Sequence, residues 1–169
     1  MDNLQKLLAS VRDGDMTAFE ALYETMKKPL FTIIYRITRD TAMSEDIMQD
    51  IFLKIYLSTP APVSNPRVYL CRMAHNLAID SIRKQKQVSA LEDTDSLPDH
   101  SMDNISQKID VEKALLSLSE RDRRIVTLHF NGELKFREIA SIMEIPLGTV
   151  LWAYQKSIKQ LQKILGGSL

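Results

Sequence analysis

The stretch Phe136-Arg137-Glu138-Ile139-Ala140-Ser141-Ile142-Met143-Glu144-Ile145-Pro146-Leu147-Gly148-Thr149-Val150 reads as two helices joined by a tight connection over 144–149. The small Ala140 lets the helices approach. Ile139, Ile142, Ile145 and Val150 supply their shared core. This is a helix-turn-helix pattern, whose second helix enters the DNA major groove. Thr149 opens that second helix, where its hydroxyl and nearby N–H groups can hold a phosphate. With Tyr154 and Ile158 facing the core, Trp152, Gln155, Lys156 and Lys159 lie toward the groove. Glutamine reads adenine, and lysine reaches guanine or phosphate. The competing reading is a helical hairpin that never meets DNA, with Trp152 partly packed into its core.

Working outward, 108–169 holds four helical segments: about 108–117, one capped by Ser119, one near 136–143, and one ending at Gly166-Gly167. Ser119 and Asp122 have a capping-box-like spacing, and Gly132 fits a helix stop. Upstream, Gln87 to Gln107 is rich in Ser, Asp and Asn and reads as a flexible acidic linker. As a coil its 21 residues span roughly 25 Å. Residues 1–86 carry a net charge of +2, 87–112 of −6 and 113–169 of +4. Zero net charge overall argues against coating nucleic acid by bulk charge, but the two ends are mildly basic.

The N-terminal part is also helical. A short helix is expected over 3–12. Phe19, Leu22, Met26, Leu30, Ile33, Ile34 and Ile37 form one stripe of a long helix capped by Asp15. Ser44 is the expected cap of the next, which carries Ile47, Met48, Ile51, Phe52, Ile55 and Tyr56. The prolines of Ser58 to Pro66 forbid a regular helix. A further helix is expected from Arg67 to Lys86, with Leu70, Met73, Ala74 and Leu77 on one face. Eleven Gly and Pro in 169 residues is about half the usual share of roughly 12%. The fold class is therefore all-α, with no β sandwich or barrel.

Two further constellations carry charge. Asp46, Gln49 and Asp50 share a helix face and offer an acidic patch to a basic protein partner. Arg83, Lys84 and Lys86 make a basic helix end suited to the helix dipole and to phosphate. Each is by itself an ordinary charged surface. Catalysis finds no support: no phosphate-binding glycine loop, HExxH or nucleophile elbow is present. His75, His100 and His129 lack metal-ligand spacing, so no metal and no cofactor is expected. The lone Cys71 reads as a buried hydrophobe. The longest uncharged run, Ile55 to Pro66, is too short to span a membrane, and no signal peptide is read, so a cytoplasmic protein is expected.

Taken in order, Ala18-Phe19-Glu20-Ala21-Leu22-Tyr23, Ser44 to Tyr56, Tyr69 to Asp80, Leu118 to Arg124 and the helix-turn-helix resemble an extracytoplasmic-function sigma factor. The resemblance implies a sigma-2 helical bundle over 1–86, the linker over 87–107 and a sigma-4 domain over 108–169. It implies a non-enzymatic protein that binds core RNA polymerase through the beta-prime clamp and beta flap and directs initiation at promoter DNA. Polymerase contact then falls on Asp46, Gln49, Asp50 and Phe52. The loop to Pro66, with Ser64, Asn65 and Asn76, resembles the pocket for a flipped base of the −10 element, with Asp80, Arg83, Lys84 and Lys86 nearby. The −35 element falls to Arg137, Thr149, Trp152, Gln155, Lys156 and Lys159. An anti-sigma factor is an implied partner. Many members carry Lys/Arg-Ser-Arg where Leu151, Trp152 and Ala153 stand here. Weak DNA binding by sigma-4 or an unusual −35 sequence is therefore expected, with Ala153→Arg strengthening it. The alternatives are a stand-alone helix-turn-helix regulator and a helical interaction protein.

Overall fold

The computed structural model describes residues 3–58, 61–92 and 106–166, and all its regular elements are helices. They fall into two compact units.

The first unit holds α1 (Asn3–Arg12), α2 (Met16–Thr38), α3 (Thr41–Leu57) and α4 (Pro66–Glu92). α2 is the central helix, packed against the other three. Its stripe of Leu22, Met26, Leu30, Ile33 and Ile34 is fully buried, together with Leu8, Ile51, Ile55 and Leu70. Gly14, at φ 87°, makes the turn from α1. Asp15 then caps α2, accepting from the N–H groups of Thr17 and Ala18. Pro29 lies inside α2. An interior proline costs roughly 3 kcal/mol, which packing on three sides offsets.

Asp40, not Ser44, caps α3, accepting from the Met43 N–H at 2.8 Å. Ser44 lies one turn inside, fully buried, and its hydroxyl donates to the Asp40 carbonyl. The carboxylate three residues before Met43 outcompetes a serine that the core encloses. α4 starts with Pro66 at its first position, where a missing N–H costs nothing. Asn65 caps it, accepting from Val68 N at 3.2 Å. The helix continues to Glu92 rather than stopping at Lys86, because 87–92 contains no Gly or Pro to end it. The remainder of the expected linker to Ile105 lies outside the described residues, and Ser106 and Gln107 are already helical.

The second unit holds α5 (Ser106–Leu116), α6 (Glu120–Phe130), α7 (Phe136–Met143) and α8 (Leu147–Ile164). Ser119 caps α6, accepting from Asp122 N at 3.1 Å. α6 stops at Phe130, and the left-handed residue beyond it is Glu133 (φ 55°), not Gly132. Glu138 reaches back to the Lys135 N–H at 2.7 Å and closes the start of α7. The connection to α8 turns on Glu144 in the left-handed region, with the Ile145 N–H bonded to the Ala140 carbonyl at 3.1 Å. Ile125, Leu128, Leu134, Ile139, Val150 and Ala153 are buried. Leu115, Leu118, Val126 and Leu161 extend this core under Tyr154 and Ile158.

Candidate functional site

Each unit presents side chains that its core does not use. On α3, Ile47, Ile51 and Ile55 point inward. Asp46, Gln49 and Asp50 therefore point outward, and all three are exposed. Phe52 does not join them. It is only 5% exposed and packs edge-on against Phe19 (6.2 Å) and Tyr23 (4.7 Å). Its spacing on α3 puts it on the inward stripe rather than on the outward face of Asp46, Gln49 and Asp50.

Phe52 instead floors an apolar groove of about 980 Å³ between α2 and α3, walled by Phe19, Tyr23, Phe31, Leu53 and Tyr56. Gln49 and Lys27 stand on its rim. A hydrogen bond from Lys27 to Glu24 at 2.7 Å holds the Lys27 ammonium above the ordinary lysine range. The reading of α2 as one buried stripe missed this groove. Its signal was the aromatic set Phe19, Tyr23 and Phe31 beside that stripe.

On α4 the exposed polar groups follow the helix outward. Asn76, Asp80, Arg83, Lys84 and Lys86 are all exposed. Asp80 and Arg83 pair at 3.8 Å. Asn76 Oδ1 lies 3.2 Å from Nδ1 of buried His75. In the preceding loop, Ser64 and Asn65 are exposed, and the Asn65 side chain is engaged as the α4 cap. The Ser64 carbonyl accepts from Gln5 Nε2 at 2.7 Å, so α1 anchors this loop. Thr59 and Pro60 lie outside the described residues. Beside the loop's start is a cavity of about 330 Å³ lined by Ser58, Leu57, Lys54, Tyr69 and Met73. Asn76 does not line it.

In the second unit, Arg137, Trp152, Gln155, Lys156 and Lys159 are exposed and Thr149 is half-buried. Val150, Ala153, Ser157 and Leu161 form the buried edge of α8. Trp152 is 59% exposed, which removes the reading of it as core. Ala153 is 0% exposed. Its assignment to the DNA side, and with it the gain expected from Ala153→Arg, is therefore overturned: three residues before Lys156 and one after Trp152, it lies on the scaffold side of α8. The His129 Nδ1–H donates to the Leu134 carbonyl at 2.9 Å, and the ring stacks on Phe136 at 4.6 Å. An Nδ1–H donor is the only form that a carbonyl can pair with, so His129 serves the turn into α7. Burial pushes the Arg124 guanidinium below the ordinary arginine range, against the attraction of Glu120. Among the described residues no group of His, Cys, Asp and Glu could hold a metal ion, and no helix is long and apolar enough to cross a membrane.

The described residues thus form two helical units, one with an acidic face on α3 and a basic run on α4, the other with a helix-turn-helix that suits DNA. Comparison with known families agrees. Residues 22–88 match Sigma-70 region 2, and residues 108–166 match Sigma-70 region 4. The ECF RNA polymerase sigma factor SigW of Bacillus subtilis is 27% identical, the alignment covering 96% of each chain. The ECF RNA polymerase sigma factor SigK of Mycobacterium sp. (strain JLS) is 26% identical over 98% of this chain and 92% of its own. The fold is similar to that of RpoE of Bartonella quintana, solved with the anti-sigma factor NepR. There the TM-score is 0.76 and the identity 18%, covering 89% of this chain and 98% of that one. CnrH, solved with the cytosolic domain of CnrY, gives a TM-score of 0.66 at 17% identity, covering 99% of this chain and all of that one. The chain belongs to the extracytoplasmic-function sigma factors. Its function is to bind core RNA polymerase and direct promoter-specific initiation, and the stand-alone regulator finds no support. The family is regulatory rather than enzymatic.

Proposed function

We propose that the two units divide initiation between them residue by residue. The observation that carries this is the outward set Asp46, Gln49 and Asp50, held on a helix whose opposite side is core. Three polar groups on one rigid face, two of them anionic, suit a basic protein surface, here the beta-prime clamp of core polymerase. Docking there leaves α4 to the DNA. Arg83, Lys84 and Lys86 hold the backbone of the −10 element, and Ser64, Asn65, Asn76 and Asp80 lie alongside. The cavity beside the loop takes a base extruded from the melted strand, with the ring of Tyr69 available for stacking. Holding such a base favours open DNA without any bond being cut, so the chain catalyses no reaction of its own.

The second unit docks on the beta flap and lays α8 in the major groove of the −35 element. Trp152, Gln155, Lys156 and Lys159 face the bases and backbone, with Arg137 and Thr149 on phosphates. An anti-sigma factor is the proposed regulator, since the structure of RpoE was solved with the anti-sigma factor NepR. The chain works in the cytoplasm, where polymerase and promoters are. The test is initiation by core RNA polymerase on a pool of promoter fragments. Specific start sites are expected with the wild-type chain and none with the Asp46→Ala/Gln49→Ala/Asp50→Ala triple variant. Starts that persist in the variant would refute the α3 assignment.

A further inference from the structure

Trp152 is the chain's single tryptophan and lies exposed on the outward face of α8. One turn further on, Lys156 places its ammonium 5.1 Å from the centre of the Trp152 ring. The same nitrogen is 3.9 Å from Oδ2 of Asp122, whose side chain is 5% exposed. The other carboxylate oxygen accepts from Arg121 Nε at 3.2 Å. A carboxylate withdrawn from water requires countercharge. Asp122 therefore draws Lys156 toward α6 and against the indole. Two consequences follow. The Lys156 charge is partly spent inside the protein, which weakens it as a phosphate ligand. The indole is restrained on one side by the cation, so less freedom is lost when it meets DNA.

We infer that Trp152 reads the 5-methyl group of one thymine in the −35 major groove, with Asp122 as a positioning residue acting through Lys156. The inference rests on α8 occupying the −35 element. The thymine methyl is the apolar group that base edges present in the major groove. Trp152 and Gln155 are three residues apart on the same exposed face, about 4.5 Å along the helix axis. Stacked base pairs are about 3.4 Å apart. The two side chains thus address neighbouring base pairs, one by its methyl and one by the adenine edge.

The test uses the full chain assembled with core RNA polymerase. A −35 sequence is first selected from a randomised element. Each thymidine in it is then replaced singly by deoxyuridine, which keeps the pairing and removes the methyl. One position should lose about fourfold in affinity, the worth of one buried methyl group. Trp152→Ala should abolish that difference. Asp122→Asn should reduce it below about twofold and steepen the log–log salt dependence by about 0.9, as Lys156 is released to a phosphate. Should Asp122→Asn fail to fold, Lys156→Met must lose the difference without steepening, and Lys156→Arg must restore it. If no position responds to deoxyuridine while Gln155→Ala still changes the selected sequence, α8 is the reader and the inference is wrong. A response unchanged in Trp152→Ala also overturns it. A selection that returns no preferred −35 sequence would instead refute the placement of α8 itself.

Discussion

The two units solve the same problem in opposite ways. The first gives each task its own helix. α2 is scaffold, α3 turns an acidic face outward, and α4 carries the basic run Arg83, Lys84 and Lys86 before its last turn. The second puts scaffold and the proposed DNA-reading face on one helix. Along α8, exposed Trp152 is followed by fully buried Ala153, and exposed Lys156 by buried Ser157. Binding and folding are thus separable in the first unit and interleaved in the second.

The largest effect should come where that interleaving is violated. Ala153→Arg forces a guanidinium into a packed site and should destabilise the second unit by more than about 3 kcal/mol. Chemical unfolding followed by Trp152 fluorescence measures this, since the one tryptophan lies in that unit. Leu151→Arg, at a partly exposed neighbour, should change stability by about 0.5 kcal/mol or less. It should also steepen the salt dependence of promoter binding by about 0.9. Equal destabilisation by the two would break the contrast drawn for α8.

Next is separability in the first unit. The Asp46/Gln49/Asp50 triple alanine should lower polymerase affinity about a hundredfold. Its thermal unfolding should match the wild type, because all three side chains are exposed. A smaller effect comes from the caps. Asp15→Ala and Ser119→Ala should each cost about 1 kcal/mol. The Ser119 change should move the Trp152 fluorescence transition and the Asp15 change should move hydrogen exchange in α2. The smallest concerns α4: Lys84→Ala and Lys86→Ala should each flatten the salt dependence of promoter binding by about 0.9 in slope, with stability unchanged.

The same difference governs how far the sequence could be read. Periodicity located α2, α3, α4 and α8, whose apolar stripes, such as Leu22, Met26 and Leu30 in α2, face the core. Asp15 and Ser119 were legible as caps because each stands directly before the first residue of its helix. Ser44 was misleading because Asp40 lies four residues earlier, and only tertiary packing shows which of the two is enclosed. The end of α4 was misread because acidic, Ser-rich composition signals a linker while saying nothing of the six residues that still favour helix. Phe52 and Ala153 show a deeper limit. Family resemblance aligns positions, but which side of a helix a position faces is set by the packing of this chain's own side chains. The groove over Phe52 and the link from Asp122 through Lys156 to Trp152 join residues distant in sequence, and no local pattern announces them.

The central claim is that α3 carries polymerase binding and the basic run of α4 carries DNA. It is tested most directly by equilibrium binding of the full chain to core RNA polymerase without DNA. Wild type is compared with the α3 triple alanine and an Arg83→Ala/Lys84→Ala/Lys86→Ala variant. The account predicts that the α3 variant loses about a hundredfold and that the α4 variant binds as the wild type does. An α3 variant that binds normally, or an α4 variant that loses polymerase, would contradict it.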